Sequence, residues 1–184
     1  MTMIEISTPI AAEDLDLAPV FGELDDRTKE RVLDELRRAD AALAAVRDEL
    51  GLEGEGLTLE QYPSGQTEVV ANLKGAEGKL SFEAGLRPRN FFSETPWQPG
   101  HAPRSMMTDA WDVDGYVRVM VRRLVGTHKY TIQETAEEIE ERRFEDAVEA
   151  AAALASVCDE LAALARSREP TVAAWEPPEE SSSG

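Results

Sequence analysis

LTLEQYPSGQTEVVANLKGAEGKLSFEAGL, residues Leu57 to Leu86, holds three runs of extended-chain pattern separated by two glycine turns. Leu57–Tyr62 alternates apolar and polar side chains, Ser64-Gly65 turns, and Thr67–Leu73 returns. Gly75–Gly78 turns again, and Lys79–Leu86 makes the third run. A period of two marks a strand with one buried face. Turns this short only join antiparallel neighbours.

A second triplet lies downstream, in Met106–Val113, Tyr116–Leu124 and Lys129–Thr135. Asp114-Gly115 between the first two is the strongest hairpin signal in the chain. In Tyr116–Leu124, Val117, Val119 and Val121 share one face and Arg118, Met120 and Arg122 the other. With Gly126-Thr127 as a two-residue turn, Val121 faces Ile132.

Helices bracket the strands. Val32, Leu36, Ala39, Leu43, Val46 and Leu50 recur at alternating steps of four and three, an apolar helical seam. Asp25 or Asp26 caps its start and Gly51 its end. Ala147, Ala151, Leu154, Cys158, Leu161 and Ala165 repeat the pattern, in a helix expected to end near Arg166. Thr135-x-x-Glu138 has the form of a capping box, so a helix could also begin there; residues 136–145 read as helix or as strand. Asp146-x-x-Glu149 is a second helix start, with a break expected at Phe144–Asp146. Met3–Ile6 alternates like a short strand.

The expected fold is α+β: a six-stranded, largely antiparallel sheet of two three-stranded meanders, with long N- and C-terminal helices packed on one face. Residues 1–24 form an irregular segment, 25–167 a single domain, and 168–184 a disordered tail rich in Pro, Ser and Glu. This element order resembles the type III secretion chaperone-like fold, in which a helix normally stands where Arg87–Ser105 lies. It also resembles the helix-grip fold of the Bet v 1 type, a first strand, helices, six strands and a long last helix, with Met3–Ile6 as the first strand.

The 184 residues carry a formal charge of −18 and a pI near 4.4. Such a chain repels nucleic acid and anionic membranes, and favours a protein partner with a basic face. Fifteen arginines against four lysines, with abundant alanine, match the usage of a high-GC bacterial genome. A single cysteine, Cys158, forms no internal disulfide. With neither an apolar run of membrane-spanning length nor a secretory leader pattern, a cytoplasmic protein is expected.

Arg87–Ser105 is the densest group of ligand-capable residues, with Arg87, Arg89, Phe91, Phe92, Trp97, His101 and Arg104 among four prolines. It reads either as a binding loop or as a cover over the sheet edge. From Arg87 to Lys129 the chain is locally +3, and Arg118 and Arg122 stand on one strand face about 13 Å apart. This stripe would receive an acidic peptide or a phosphate, or pair with Glu137, Glu138, Glu140 and Glu141 of the same chain. Trp175 in the tail would anchor a partner or fold back on the sheet.

Asp112-Val113-Asp114-Gly115 resembles part of a calcium loop, but Ala110 and Val121 stand where ligands belong. His101 and His128 have no metal-ligand spacing. Cys158, on an apolar helical seam, reads as a buried thiol rather than a nucleophile.

No metal, cofactor or catalytic residue is therefore expected. The leading reading is an acidic, non-enzymatic accessory protein (chaperone, adaptor or inhibitor) that binds another protein through Arg87, Arg89, Trp97, Arg104, Arg118, Arg122 and Trp175, alone or as a homodimer. The alternatives are a helix-grip-like carrier of a small apolar ligand, and an enzyme using residues 87–115. The filling of the space between the sheet and the last helix separates the first two.

Overall fold

The computed structural model describes residues 6–13, 15–63, 66–75, 79–91, 107–124 and 130–173. A short strand, β1 (Ile6–Pro9), precedes one turn of helix, α1 (Ala18–Phe21), and a long helix, α2 (Asp26–Leu50). Five strands follow: β2 (Glu53–Gln61), β3 (Thr67–Lys74), β4 (Leu80–Phe91), β5 (Met107–Leu124) and β6 (Tyr130–Phe144). The last element is α3 (Ala147–Ala173). The strands lie side by side in chain order, each antiparallel to its neighbour. The α+β class, the six-stranded antiparallel sheet and the two long helices are those the sequence predicts.

The boundaries of α2 follow its capping chemistry. The Asp25 carboxylate accepts a hydrogen bond from the Thr28 backbone N–H at 2.8 Å, supplying a partner to one of the orphan donors of the first turn. Gly51 closes the helix at φ 64°, the left-handed conformation in which a glycine is least strained. The expected seam is buried from Val32 through Leu36, Ala39 and Leu43 to Val46, which have no exposed surface, and its last member, Leu50, is partly buried. At the other end of the chain, the Asp146 carboxylate accepts from the Glu149 N–H at 2.9 Å and starts α3 where the second cap signal stands. Ala151, Leu154, Cys158, Leu161 and Ala165 are all fully buried.

α2 and α3 pack against each other and against one face of the sheet. The ladders put the apolar residues of that face in rows. Leu59, Val69, Leu86 and Val113 cross β2–β5 in one row, and Leu57, Ala71, Ala84 and Gly115 in the next. Leu73, Phe82 and Val117 make a third. Burial of these rows under two helices supplies the main hydrophobic driving force for the domain. At one end the Trp111 ring lies 5.8 Å from that of Phe21, tilted by 37°, and donates its indole N–H to the Val20 carbonyl at 2.9 Å, which ties α1 to the sheet.

Several strand assignments need correction. Asp114-Gly115 is no hairpin; it lies inside β5, an unbroken strand of 18 residues. The two triplets therefore merge into one meander, and β1 supplies the sixth strand. The capping-box pattern at Thr135 starts no helix, because β6 runs on to Phe144 paired with β5. The glutamates there favour a helix by only a few tenths of a kcal/mol each, and strand pairing outweighs that preference. Leu124 pairs with Tyr130, so Val121 faces Gln133, not Ile132. Arg87–Phe91 belongs to β4 rather than to a loop. α3 extends beyond Arg166 to Ala173. The turns at Ser64-Gly65 and Gly126-Thr127, residues 76–78 of the Gly75–Gly78 turn, and residues 174–184 lie outside the described residues.

β1 before the helices follows the helix-grip order, but among the described residues five strands follow the helices instead of six. In the type III secretion chaperone-like order a helix stands between the two strand groups; residues 92–106, between β4 and β5, lie outside the described residues.

Candidate functional site

The second face of the sheet carries no described helix. Strand alternation sends a different residue set to this side: Glu60 from β2, Glu68 from β3, Glu83 and Arg87 from β4, Asp112, Asp114, Tyr116 and Arg118 from β5, and Glu138 from β6. Charged and hydroxyl-bearing groups dominate it.

Arg87 stands at its centre. Its Nη1 lies 2.7 Å from Asp114 Oδ1 and its Nε 3.3 Å from Glu68 Oε2. Burial works against the guanidinium charge, but the bond to Asp114 and the nearby carboxylates of Asp114, Glu68 and Glu83 outweigh it and raise the arginine pKa. Glu68 is only 8% exposed. Burial pushes its carboxyl up, and Arg87 pulls it only partly back. Beside them Tyr116 donates its hydroxyl to Glu83 at 2.6 Å. The Arg118 guanidinium carbon lies 4.9 Å from the centre of the Tyr116 ring, within cation–π range. Tyr62 donates to Glu60 at 3.0 Å, and burial together with that carboxylate pushes the phenol up to about 12.

Where β4, β5 and β6 meet, this face opens into a groove of about 560 Å³. Glu83, Asp114, Glu138, Glu140 and Glu141 line it, with Arg87 the one base among the described residues of the lining. Glu140 and Glu141 form a bulge: Ile139 pairs with Gly115 and Arg142 with Val113, leaving two residues opposite Asp114. The bulge concentrates carboxylates at the groove mouth, where Glu138, Glu140 and Glu141 are exposed.

A second groove, of about 330 Å³, lies on the other side of β6, against α3. Val113, Ile139, Phe144, Ala152, Ala153 and Val157 form its apolar lining, and Glu140, Arg142, Glu149, Ser156 and Glu160 complete it. Deeper in, the space between sheet and helix is filled by Phe82, Val117, Leu154, Cys158 and Leu161, each 2% exposed or less. Among the described residues the apolar volume here is an open groove at the edge of the sheet.

The structure brings together only part of the predicted site. Arg87 and Arg118 share the second face, on adjacent strands. Arg89 is exposed on β4. Arg122 continues β5 in phase with Arg118, opposite Ile132. Trp97, Arg104 and Trp175 lie outside the described residues, as do Phe92, His101 and His128. The acidic run is divided: Glu137 meets Arg168 of α3, whereas Glu138, Glu140 and Glu141 line the groove. Sequence reading missed Glu68, Glu83 and Tyr116. Their signal was the alternate position in strands whose other face is apolar.

Among the described residues no cluster of His, Cys, Asp and Glu could hold a metal ion, and no helix is long and apolar enough to cross a membrane. Cys158 is fully buried, and burial raises its thiol to about 12. The chain matches no protein-family model, no curated protein and no solved structure.

Proposed function

We propose that this protein is a non-enzymatic accessory protein that binds another protein, and that it does so with the second face of its sheet and the adjoining strand β6. The observation that carries this reading is the groove in which five carboxylates converge around one arginine that is already paired. The surplus of negative charge selects a partner with a basic segment and speeds its encounter. An acidic peptide is disfavoured at this groove, because Arg87 already holds two carboxylates.

The filled space between α3 and the sheet also supports a protein binder over a carrier that encloses a small apolar ligand. The rim groove beside α3 supplies apolar contact at the border of the charged one, as interfaces commonly combine the two.

The test is recovery of partners from the source cell with matched variants. Glu138→Lys/Glu141→Lys reverses two groove charges. Glu30→Lys/Asp34→Lys makes the same net change on the exposed surface of α2. The proposal expects the first pair to lose a partner that wild type and the second pair retain. Equal retention or equal loss by the two pairs overturns it.

A further inference from the structure

We propose that the outer edge of β6 receives an extended segment of the partner as a seventh strand, and that this segment alternates basic and apolar side chains. The inference rests on the protein-binding reading above and specifies the chemistry of the partner.

β6 is the last strand of the sheet, and no described element pairs with its outer edge. It is 15 residues long, whereas the opposite edge strand, β1, has four and ends at Pro9. A proline lacks the N–H that an added strand would use, so β1 is the poorer template. β6 carries both halves of a reading surface. The acidic groove lies on one side of it and the apolar groove on the other, and both reach the strand at Ile139 and Glu140.

A strand added to this edge sends successive side chains to opposite faces. Every second residue would therefore meet Glu138 and Glu140, and the residues between would meet Ile139 and Ala153. The bulge at Glu140-Glu141 interrupts the ladder, which resumes at Arg142, so the segment pairs along the residues that lead up to Ile139.

Charge chooses the occupant. A second copy of this chain, paired antiparallel at the same edge, would set Glu138 and Glu140 close to their own counterparts. Like charges there repel, a known device against self-association of edge strands. The same charges attract lysine and arginine, so the device that excludes a like copy admits a basic strand.

Three synthetic octapeptides test this by titration calorimetry at physiological salt. One alternates lysine and valine, one has the same composition in two blocks, and one is the alternating peptide N-methylated on its edge-facing amides. The alternating peptide is expected to bind at least tenfold more tightly than the other two. Glu138→Lys, and Ser156→Trp at the exposed rim of the apolar groove, should each weaken it fivefold or more. Equal binding of the alternating and blocked peptides would show that charge alone acts, and would overturn strand addition; so would binding of neither. Both outcomes leave the accessory-protein reading to be decided by the matched charge variants. Loss of the contrast between those variants removes that reading whatever the peptides do.

Discussion

Gly115 of β5 lies directly beneath Leu161 of α3: a Cβ built on the glycine would stand 2.6 Å from Leu161 Cδ1 and 2.9 Å from Val157 Cγ1. The glycine is therefore a contact residue and not a turn residue. Here the last helix comes too close to the sheet to admit a side chain, and the glycine lets the whole row from Leu57 to Gly115 stay flush under the helices. Gly115→Val should destabilise by about 1–3 kcal/mol through overpacking. Urea unfolding checks this, and adding Leu161→Ala should recover part of the loss. A fully neutral Gly115→Val would mean that α3 sits farther from β5.

Leu43 of α2 and Leu154 of α3 have no exposed surface. Leu43→Ala and Leu154→Ala should each cost about 2–5 kcal/mol, as buried large-to-small changes do. Thermal or chemical melts of the single variants measure it.

Arg87 holds Glu68 and Asp114 together across three strands. Because the arginine is about a third exposed, Arg87→Met should cost about 1–2 kcal/mol at neutral pH, and Glu68→Gln in that background should return part of it. The pH dependence has a definite sign. The Glu68 carboxyl titrates above its ordinary 4.5 in the folded chain, so its contribution is most favourable below that value and is lost as pH rises through the raised one. Wild type should therefore lose stability relative to Glu68→Gln on going from pH 4 to pH 7. Asp25 acts in the opposite sense: its carboxyl is held below 3.8 by the Thr28 backbone hydrogen bond, and its contribution is lost as pH falls through that lower range. Denaturant melts at several pH values separate the two.

Cys158 should be inert in the native protein. Its thiol is fully buried and raised to about 12, so little thiolate forms at pH 8. A thiol reagent should react only as fast as the chain unfolds, and at once in denaturant. Rapid labelling of the folded protein would place α3 away from the sheet.

The helices and the first strands were legible because local chemistry and global burial agree there. Asp25, Gly51 and Asp146 mark ends, and the seams from Val32 to Val46 and from Ala147 to Ala165 mark buried sides. Asp114-Gly115 misled because a dipeptide suited to a turn sat in a strand for a tertiary reason, the approach of Leu161. A cue was present: Trp111, Val113, Val117 and Val119 keep one phase through Gly115, which a hairpin there would break. β6 was ambiguous because its Glu-rich run carries little apolar pattern; only its pairing with β5 makes it a strand. The acidic groove was illegible for a related reason. Glu83, Asp114 and Glu138 are far apart in sequence, and register alone brings them to one place.

β6 and the second face of the sheet together form the proposed surface for a partner protein. Site-specific photocrosslinking in the source cell tests it most directly, with a photoreactive residue at Glu138 in the groove or, for comparison, at Glu30 on α2, both exposed. The account predicts an adduct with another protein from position 138, weakened by Glu141→Lys, and none from position 30. An adduct from position 30 alone, or from neither position, would contradict it.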